Sequence, residues 1–363
     1  MSPNILFDTF FFLWSFLGPL PVSSYSSGTM KPTIILSALI GSGLAHPGMD
    51  GVLNELRKRQ FQPSTGMIGD LRTLPDSALS TVGKAVKAIL QGTGNPIDTT
   101  STYTAPPGGR DAQACRQDRC CIWKYIANDM RAAMFDASTN TCTNTARGAI
   151  RLGFHDAAAW NTSIAGGGAD GSILLSGSEM GRIENLALAA VGTQMTAWWN
   201  TYKSYGVTMA DLIQLGAKVG AGSCPGGPRI RFFVGRTDNP NPAPTGLLPP
   251  PTFTAQQLID NFNAKTIGPG GLVALIGAHT ASRQTQVDTT KIGAPQDTTP
   301  GKWDQRYFVE TLDPNAPSTI VKFPSDINVA NGAVTGPVWQ QFMNNKAAWD
   351  RVSQSNPCHL LHT

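Results

Sequence analysis

From residue 122 to residue 352, apolar side chains recur at helical spacing, and no segment shows a comparable series of strand-like alternations. The periodicity predicts helices over 122–134, 145–160, 180–199, 208–219, 254–264, 271–282 and 337–352. A mainly α fold follows. Start signals agree: Thr254 with Gln257 forms a capping box flanked by Phe253 and Leu258 as a hydrophobic staple, and Thr208 with Asp211 reads as a second N-terminal cap. Between the helices run loops rich in Pro and Gly, above all 225–251, whose prolines preclude regular structure. Loops of that length are often functional, or pinned by ions and disulfides.

The first hundred or so residues differ in character. The apolar stretches 7–20 and 34–44 are too short or too interrupted to span a bilayer. The second follows Met30 and Lys31 and ends in Gly43, Leu44 and Ala45, the charged start, apolar middle and small-residue exit of a secretory signal. We therefore expect residues 1–45 to be targeting sequence. Residues 1–29 read either as upstream of the true start or as part of one long signal or a buried helix. Residues 46–114 read as a pro-segment or N-terminal extension, with a helix-like patch at 80–90 and a linker at 92–109. Within it, Arg57, Lys58 and Arg59 resemble a dibasic processing site or a solvated charge run. One domain is expected over 115–363.

The 28 basic and 24 acidic residues leave a formal charge of +4 with no dense basic block, which argues against a nucleic-acid partner. A secreted, extracellular monomer, with no membrane contact in its mature form, is the expectation. Cys115, Cys120, Cys121, Cys142, Cys224 and Cys358 all lie beyond the signal. An even number in a secreted chain favours disulfides over metal binding, although spacing alone leaves the pairing open. Asn161, Thr162 and Ser163 form a glycosylation sequon, a pattern also common by chance.

Histidine is scarce. Of five, His46 sits at the signal exit and His359 and His362 follow the last cysteine, which leaves His155 and His279 within the helical region. Arg151 and His155 are four residues apart and share a helix face, with Phe154 three residues from Arg151. Peroxide cleavage needs such a set: a base to take a proton from one oxygen and return it to the departing one, and a cation to stabilise the negative charge that develops. The same segment also reads as a buried Arg151–Asp156 ion pair beside a core histidine.

His279 ends the apolar run 272–278, whose small residues near the histidine would let a flat cofactor approach the helix. Thr280 and the segment from Asp297 to Asp304 offer several hard oxygen ligands of the kind Ca²⁺ takes, or an Asx-rich turn. It is not an EF-hand, because Lys302 and Phe308 occupy the places of the essential Gly and Glu. Asp156 and the glycine-rich loop 166–172 offer a second oxygen cluster beside the first histidine.

Four motifs occur in order: Arg-Leu-Gly-Phe-His-Asp-Ala from Arg151, Gly-Gly-Gly-Ala-Asp-Gly-Ser ending at Ser172, Gly-Ala-His-Thr ending at Thr280, and Asp-Thr-Thr-Pro-Gly-Lys-Trp-Asp from Asp297. On these, residues 115–358 resemble the secreted fungal peroxidases of the plant, fungal and bacterial haem peroxidase superfamily. The resemblance implies a two-lobed, mainly α fold with haem b (iron protoporphyrin IX) between the lobes, braced by two Ca²⁺ and by disulfides. It implies hydrogen peroxide as oxidant, with small phenolic or aromatic donors oxidised one electron at a time at the haem edge.

Carried over, Arg151 and His155 become the distal acid-base pair, Phe154 the ring over the haem, and Asn185 the group orienting His155, supported by Glu179. His279 becomes the proximal iron ligand, with Asp326 as its carboxylate partner. One Ca²⁺ would take Asp156, the Gly168 carbonyl, Asp170 and Ser172; the other Thr280, Asp297, Thr299, the Lys302 carbonyl and Asp304. The implied disulfides are Cys115 with Cys121, Cys120 with Cys358 and Cys142 with Cys224.

Manganese-oxidising relatives hold acidic residues where this chain has Asn144, Gly148 and Thr285, so no such manganese site is expected. Relatives that attack bulky aromatics carry a surface tryptophan where this chain has Ala274, and Trp198, Trp199 and Trp303 are expected to pack in the core. Three other readings stand beside the phenol-oxidising one. They are a secreted, calcium-stabilised binding protein or effector on a peroxidase-like fold, a peroxidase using a non-standard site for manganese or lignin-type aromatics, and a two-histidine metallohydrolase. The last is the weakest, because neither histidine has the spacing of a zinc helix motif.

Overall fold

The described residues of the computed structural model (74–79, 81–90, 93–97, 102–164 and 167–352) form thirteen α-helices and one short β-ribbon. The signal-like segment 1–45, the Arg57 to Arg59 run and Cys358 lie outside these residues, and with Cys358 the expected partner of Cys120. The helices are α1 (Thr81–Leu90), α2 (Gln113–Gln117), α3 (Cys121–Met134), α4 (Asn144–Ala158), α5 (Ser172–Leu175), α6 (Ala189–Tyr202), α7 (Met209–Ser223), α8 (Ala255–Asn263), α9 (Pro269–Ile276), α10 (Arg306–Leu312), α11 (Pro324–Asn331), α12 (Gly336–Asn344) and α13 (Lys346–Val352). Strands β1 (Phe135–Asp136) and β2 (Thr141–Cys142) pair antiparallel between α3 and α4.

The mainly α expectation holds, with three differences in detail. The 180–199 segment is two 3₁₀ turns, Glu179–Gly181 and Ile183–Leu188, followed by α6. The 271–282 segment is α9 followed by the 3₁₀ turn Gly277–Ala281. The 337–352 segment breaks at Asn345, where an extended backbone ends α12 and the Asn345 side chain accepts from the Ala348 N–H at 2.9 Å to start α13. Helices α2, α5, α10 and α11 were not anticipated; Pro324 in the first turn of α11 is a start signal the periodicity does not carry.

The helices form two groups. In the first, α4 packs on α7 and α6, and α7 packs also on α3. The α4–α7 crossing is close because of glycine: a Cβ on Gly153 would lie 2.6 Å from the Ala217 Cβ, and one on Gly220 would lie 2.8 Å from the Ala146 carbonyl. In the second, α8 packs on α9 and α11, while α10 and α12 meet α11 and each other. One continuous hydrophobic core runs through both groups, including Met130, Leu152, Ile213, Leu272, Phe308 and Trp339. No helix among the described residues is long and apolar enough to cross a membrane.

Covalent and polar ties fix the long connections. Cys115 pairs with Cys121 and Cys142 with Cys224, as the resemblance implied. The long loop 225–251 is pinned by buried carboxylates: Asp211 accepts from the Gly235 and Arg236 N–H groups and from the Arg236 guanidinium, and Glu179 accepts from the Ala243 N–H at 2.9 Å. The stretch expected to be a linker is tied down as well. Ile97 bridges to Ile230, and Arg231 donates to the Asn95 carbonyl at 3.0 Å.

Candidate active site

The buried end of α4 carries the first half of the site. Thr143 caps the helix by accepting from the Ala146 N–H, and the four-residue step from Arg151 to His155 then sets both side chains on one face. Arg151 Nε–H donates to His155 Nε2 at 3.2 Å, and a second Arg151 nitrogen donates to the Glu184 carbonyl at 2.9 Å. His155 Nδ1 lies 2.7 Å from Asn185 Oδ1, and Asn185 Nδ2 donates to the Glu179 carbonyl at 2.9 Å. Glu179 therefore meets Asn185 through its backbone, while its carboxylate is spent on Ala243 and on Arg182 at 3.4 Å.

This chain of bonds fixes a tautomer. The Glu179 carbonyl can only accept, so Asn185 turns its oxygen to His155 and takes the Nδ1 proton, leaving Nε2 with a lone pair beside the guanidinium. Burial, and then the Arg151 charge, depress the imidazole to about 3, so the base is unprotonated at neutral pH. Phe154 stacks on Phe262 at 6.3 Å and meets the His155 ring edge-on at 6.0 Å.

The second half surrounds His279, in the 3₁₀ turn after α9. Its Nδ1 lies 2.9 Å from Asp326 Oδ2, supplied by the first turn of α11. The ring stands edge-on between Tyr307 and Phe323, at 5.7 and 5.5 Å. With the Nδ1 proton held by a carboxylate, Nε2 keeps its lone pair, and a third of the side chain is exposed (33%). That is the donor a metal-bound cofactor requires.

Gly277, one of the small residues before His279, makes room for packed aromatic rings. A Cβ on Gly277 would lie 2.7 Å from the Trp349 ring and 2.8 Å from Phe308, so the missing side chain admits an indole. Trp349 also donates to the Ala274 carbonyl at 2.9 Å and stacks on Trp303 at 5.3 Å. Ala274, Trp198 and Trp303 are all buried, and Trp199 is half-buried with its indole N–H on the Val207 carbonyl.

Each histidine has an oxygen-rich cluster beside it. Asp156 and Asp170 are both buried. Asp156 Oδ2 accepts from the Gly171 N–H, but its Oδ1 has no hydrogen-bond partner. Burial, with Asp170 close by, pushes the Asp156 carboxyl well up. Asp170 accepts from the Ser172 N–H at 3.1 Å and from Asn239 at 2.9 Å, and its own N–H donates to the Gly168 carbonyl at 2.8 Å. In the other cluster, Thr280 donates to Asp297 at 2.6 Å and Thr299 to Asp304 at 3.1 Å, while the Lys302 N–H closes the turn onto the Thr299 carbonyl. Burial raises the Asp297 carboxyl to about 7.

Two close carboxylates, one with an orphaned buried oxygen, fit a hard divalent cation. Among the described residues no group of three or more His, Cys, Asp or Glu side chains converges on one point, so carbonyls and hydroxyls would have to complete either shell. Sequence reasoning missed Asn239, Gln214 beside Asp156, and Gln296 beside His279. Each is a single amide far along the chain from its partner, and no motif marks it.

Residues 126–345 match the peroxidase family. The chain belongs to that family. It is 31% identical over 222 residues to a peroxidase of Arthromyces ramosus, covering 57% of this chain and 56% of that one. Ligninase LG2 of Phanerodontia chrysosporium is 32% identical over 251 residues, covering 63% and 66% of the two chains. Ligninase C of Trametes versicolor is 31% identical over 260 residues, covering 65% and 68%. The match thus spans somewhat less than two thirds of the first two relatives. Peroxidase-family membership implies a haem iron, and the open Nε2 of His279 fits that requirement.

Proposed function

We propose that this chain is a secreted, haem-b-dependent peroxidase that uses hydrogen peroxide to oxidise small phenolic or aromatic donors one electron at a time. The observation that carries the reading is the oriented His155 Nε2 lone pair, 3.2 Å from the Arg151 guanidinium. Haem iron, when bound, supplies the redox chemistry between peroxide and donor. His279 would hold it through Nε2, with Asp326 keeping the Nδ1 proton in place.

The remaining steps belong to the chain's own groups. His155 Nε2 would take a proton from one peroxide oxygen and return it to the other, so that this oxygen can depart as water. Arg151 stabilises the charge that grows on that oxygen. Asn185 keeps the required tautomer throughout, and Phe154, stacked on Phe262, walls the distal side.

One Ca²⁺ would take Asp156, the Gly168 carbonyl, Asp170 and Ser172, and the other Thr280, Asp297, Thr299, the Lys302 carbonyl and Asp304. The residues in the manganese positions favour phenolic over manganese chemistry. Asn144 is committed to Arg147 at 2.6 Å, and a Cβ on Gly148 would lie 3.0 Å from Val191, so a longer side chain there requires Val191 to shift. Secretion rests on the signal-like segment 30–45 and on the disulfides; a monomer acting on small molecules is the simplest assembly.

Reconstitution with haem tests the reading. A Soret band that shifts on adding peroxide and returns on adding a simple phenol is expected, with no saturable Mn²⁺ oxidation. A protein that binds no haem, or whose haem spectrum ignores peroxide, contradicts it.

A further inference from the structure

Two consecutive residues of the turn that bears His279 meet two consecutive residues of the following loop: His279 contacts Gln296, and Thr280 contacts Asp297. The Thr280–Asp297 pair belongs to the cation cluster already described. The other pair has no place in that account. Gln296 is 2% exposed, and its Nε2 lies 2.9 Å from Asp326 Oδ2 and 3.0 Å from His279 Nδ1. Its carbonyl oxygen is held by the Ser282 hydroxyl, which also lies 2.6 Å from the His279 carbonyl.

Asp326 Oδ2 is thus approached by two nitrogens, and a carboxylate oxygen can only accept. The amide must therefore turn its NH₂ group toward Asp326, and the Ser282 contact at its other end agrees with that orientation. Asp326 Oδ1 is engaged separately by the Ser325 hydroxyl at 3.1 Å. The Tyr307 hydroxyl also faces Asp326, without reaching hydrogen-bond geometry.

We propose that Gln296 is a positioning residue that sets the electron donation of His279 by competing for Asp326 Oδ2. This rests on the reading of His279 as the haem ligand. A hydrogen bond from the imidazole Nδ1–H to a carboxylate raises the basicity of the ligating nitrogen and stabilises the more oxidised iron. A second donor on the same oxygen disperses its charge and weakens its pull on the Nδ1 proton. Gln296 therefore holds His279 nearer to a neutral imidazole, and holds the ferric/ferrous potential above the value that the His279–Asp326 pair alone would give. Because Gln296 adjoins Asp297, the setting is also anchored in the loop that carries the proximal cation cluster.

The test compares haem-loaded wild type with Gln296→Met, which keeps most of the volume and removes the N–H donor. The readouts are the ferric/ferrous potential by spectroelectrochemistry and the iron–histidine stretch of the ferrous protein by resonance Raman. We expect a lower potential in the variant, corresponding to about a tenfold change in the reduction equilibrium, or about 59 mV for one electron. A stretch moved to higher frequency should accompany it. Ser282→Ala, which frees the amide carbonyl, should move both readouts the same way by a smaller amount, and it carries the test if Gln296→Met does not load haem.

An unchanged or raised potential, with an iron–histidine stretch present and unmoved, overturns the role of Gln296 and leaves the ligand assignment intact. Absence of that stretch in the wild type overturns the assignment of His279 itself. A structural role alone would alter haem retention or melting temperature without moving the potential in this direction.

Discussion

His155 Nδ1 sits 2.7 Å from Asn185 Oδ1, and Asn185 is itself oriented by a backbone carbonyl that can only accept. The tautomer of the distal base is therefore set 30 residues away in sequence. Asn185→Leu keeps the volume and removes the acceptor. The rate of reaction with peroxide should fall by about 10- to 100-fold, the usual cost of losing an orienting partner. Stopped-flow absorbance of the haem-loaded variant measures it, and a wild-type rate would remove Asn185 from the mechanism.

The orphaned Asp156 Oδ1, buried beside Asp170, makes calcium removal the clearest test of the distal clamp. Without a cation, two buried carboxylates face each other and one oxygen lacks any partner. A native-state ion at about a hundredfold over its Kd contributes about 2.7 kcal/mol per site. Chelation should lower the melting temperature and weaken haem retention, and elemental analysis of the untreated protein should find two calcium ions per chain. Full stability in a sample verified as calcium-free would argue against both sites.

Lys265 is buried, with its ammonium on the carbonyls of Ala158 and Trp160 at the end of the distal helix. Burial lowers its proton affinity to about 7. An unfolded lysine keeps its proton to about 10.4, so between about 7 and that value the unfolded chain binds the extra proton and stability rises with pH. Below about 7 both states are protonated and the penalty is constant. Urea unfolding from pH 7 to 10 should show wild type gaining stability relative to Lys265→Met. Parallel curves would show that Lys265 titrates normally.

Gly277 has ordinary helical dihedrals, so its requirement is space. Gly277→Ala would gain up to about 1 kcal/mol of helix propensity, but its methyl group would press on Trp349 and Phe308. Overpacking of about 1–3 kcal/mol should win. Thermal unfolding checks the sign, and a stabilised variant would show that the indole yields.

What was legible in the sequence was local or carried by a motif. Arg151 and His155 declare themselves because one helical turn joins them, and the Thr254 capping box needs only four residues. Asn185 and Asp326 came from resemblance alone, since nothing in their own surroundings points to a histidine 30 or 47 residues away. The single helix expected over 180–199 failed for a physical reason. The carbonyls of Glu179 and Glu184 serve the Asn185 and Arg151 side chains, and the chain there tightens into 3₁₀ turns in place of a regular helix. Gln296 was invisible for the opposite reason, being one amide in a loop read only for its oxygen ligands.

The central claim is that His155 moves the peroxide proton while Arg151 holds the developing charge. Stopped-flow measurement of the Soret change with hydrogen peroxide, in haem-loaded His155→Ala beside wild type, tests it most directly. The account predicts a normal resting haem spectrum and a second-order rate about 10²- to 10⁴-fold lower. An unchanged rate with haem fully bound would contradict it.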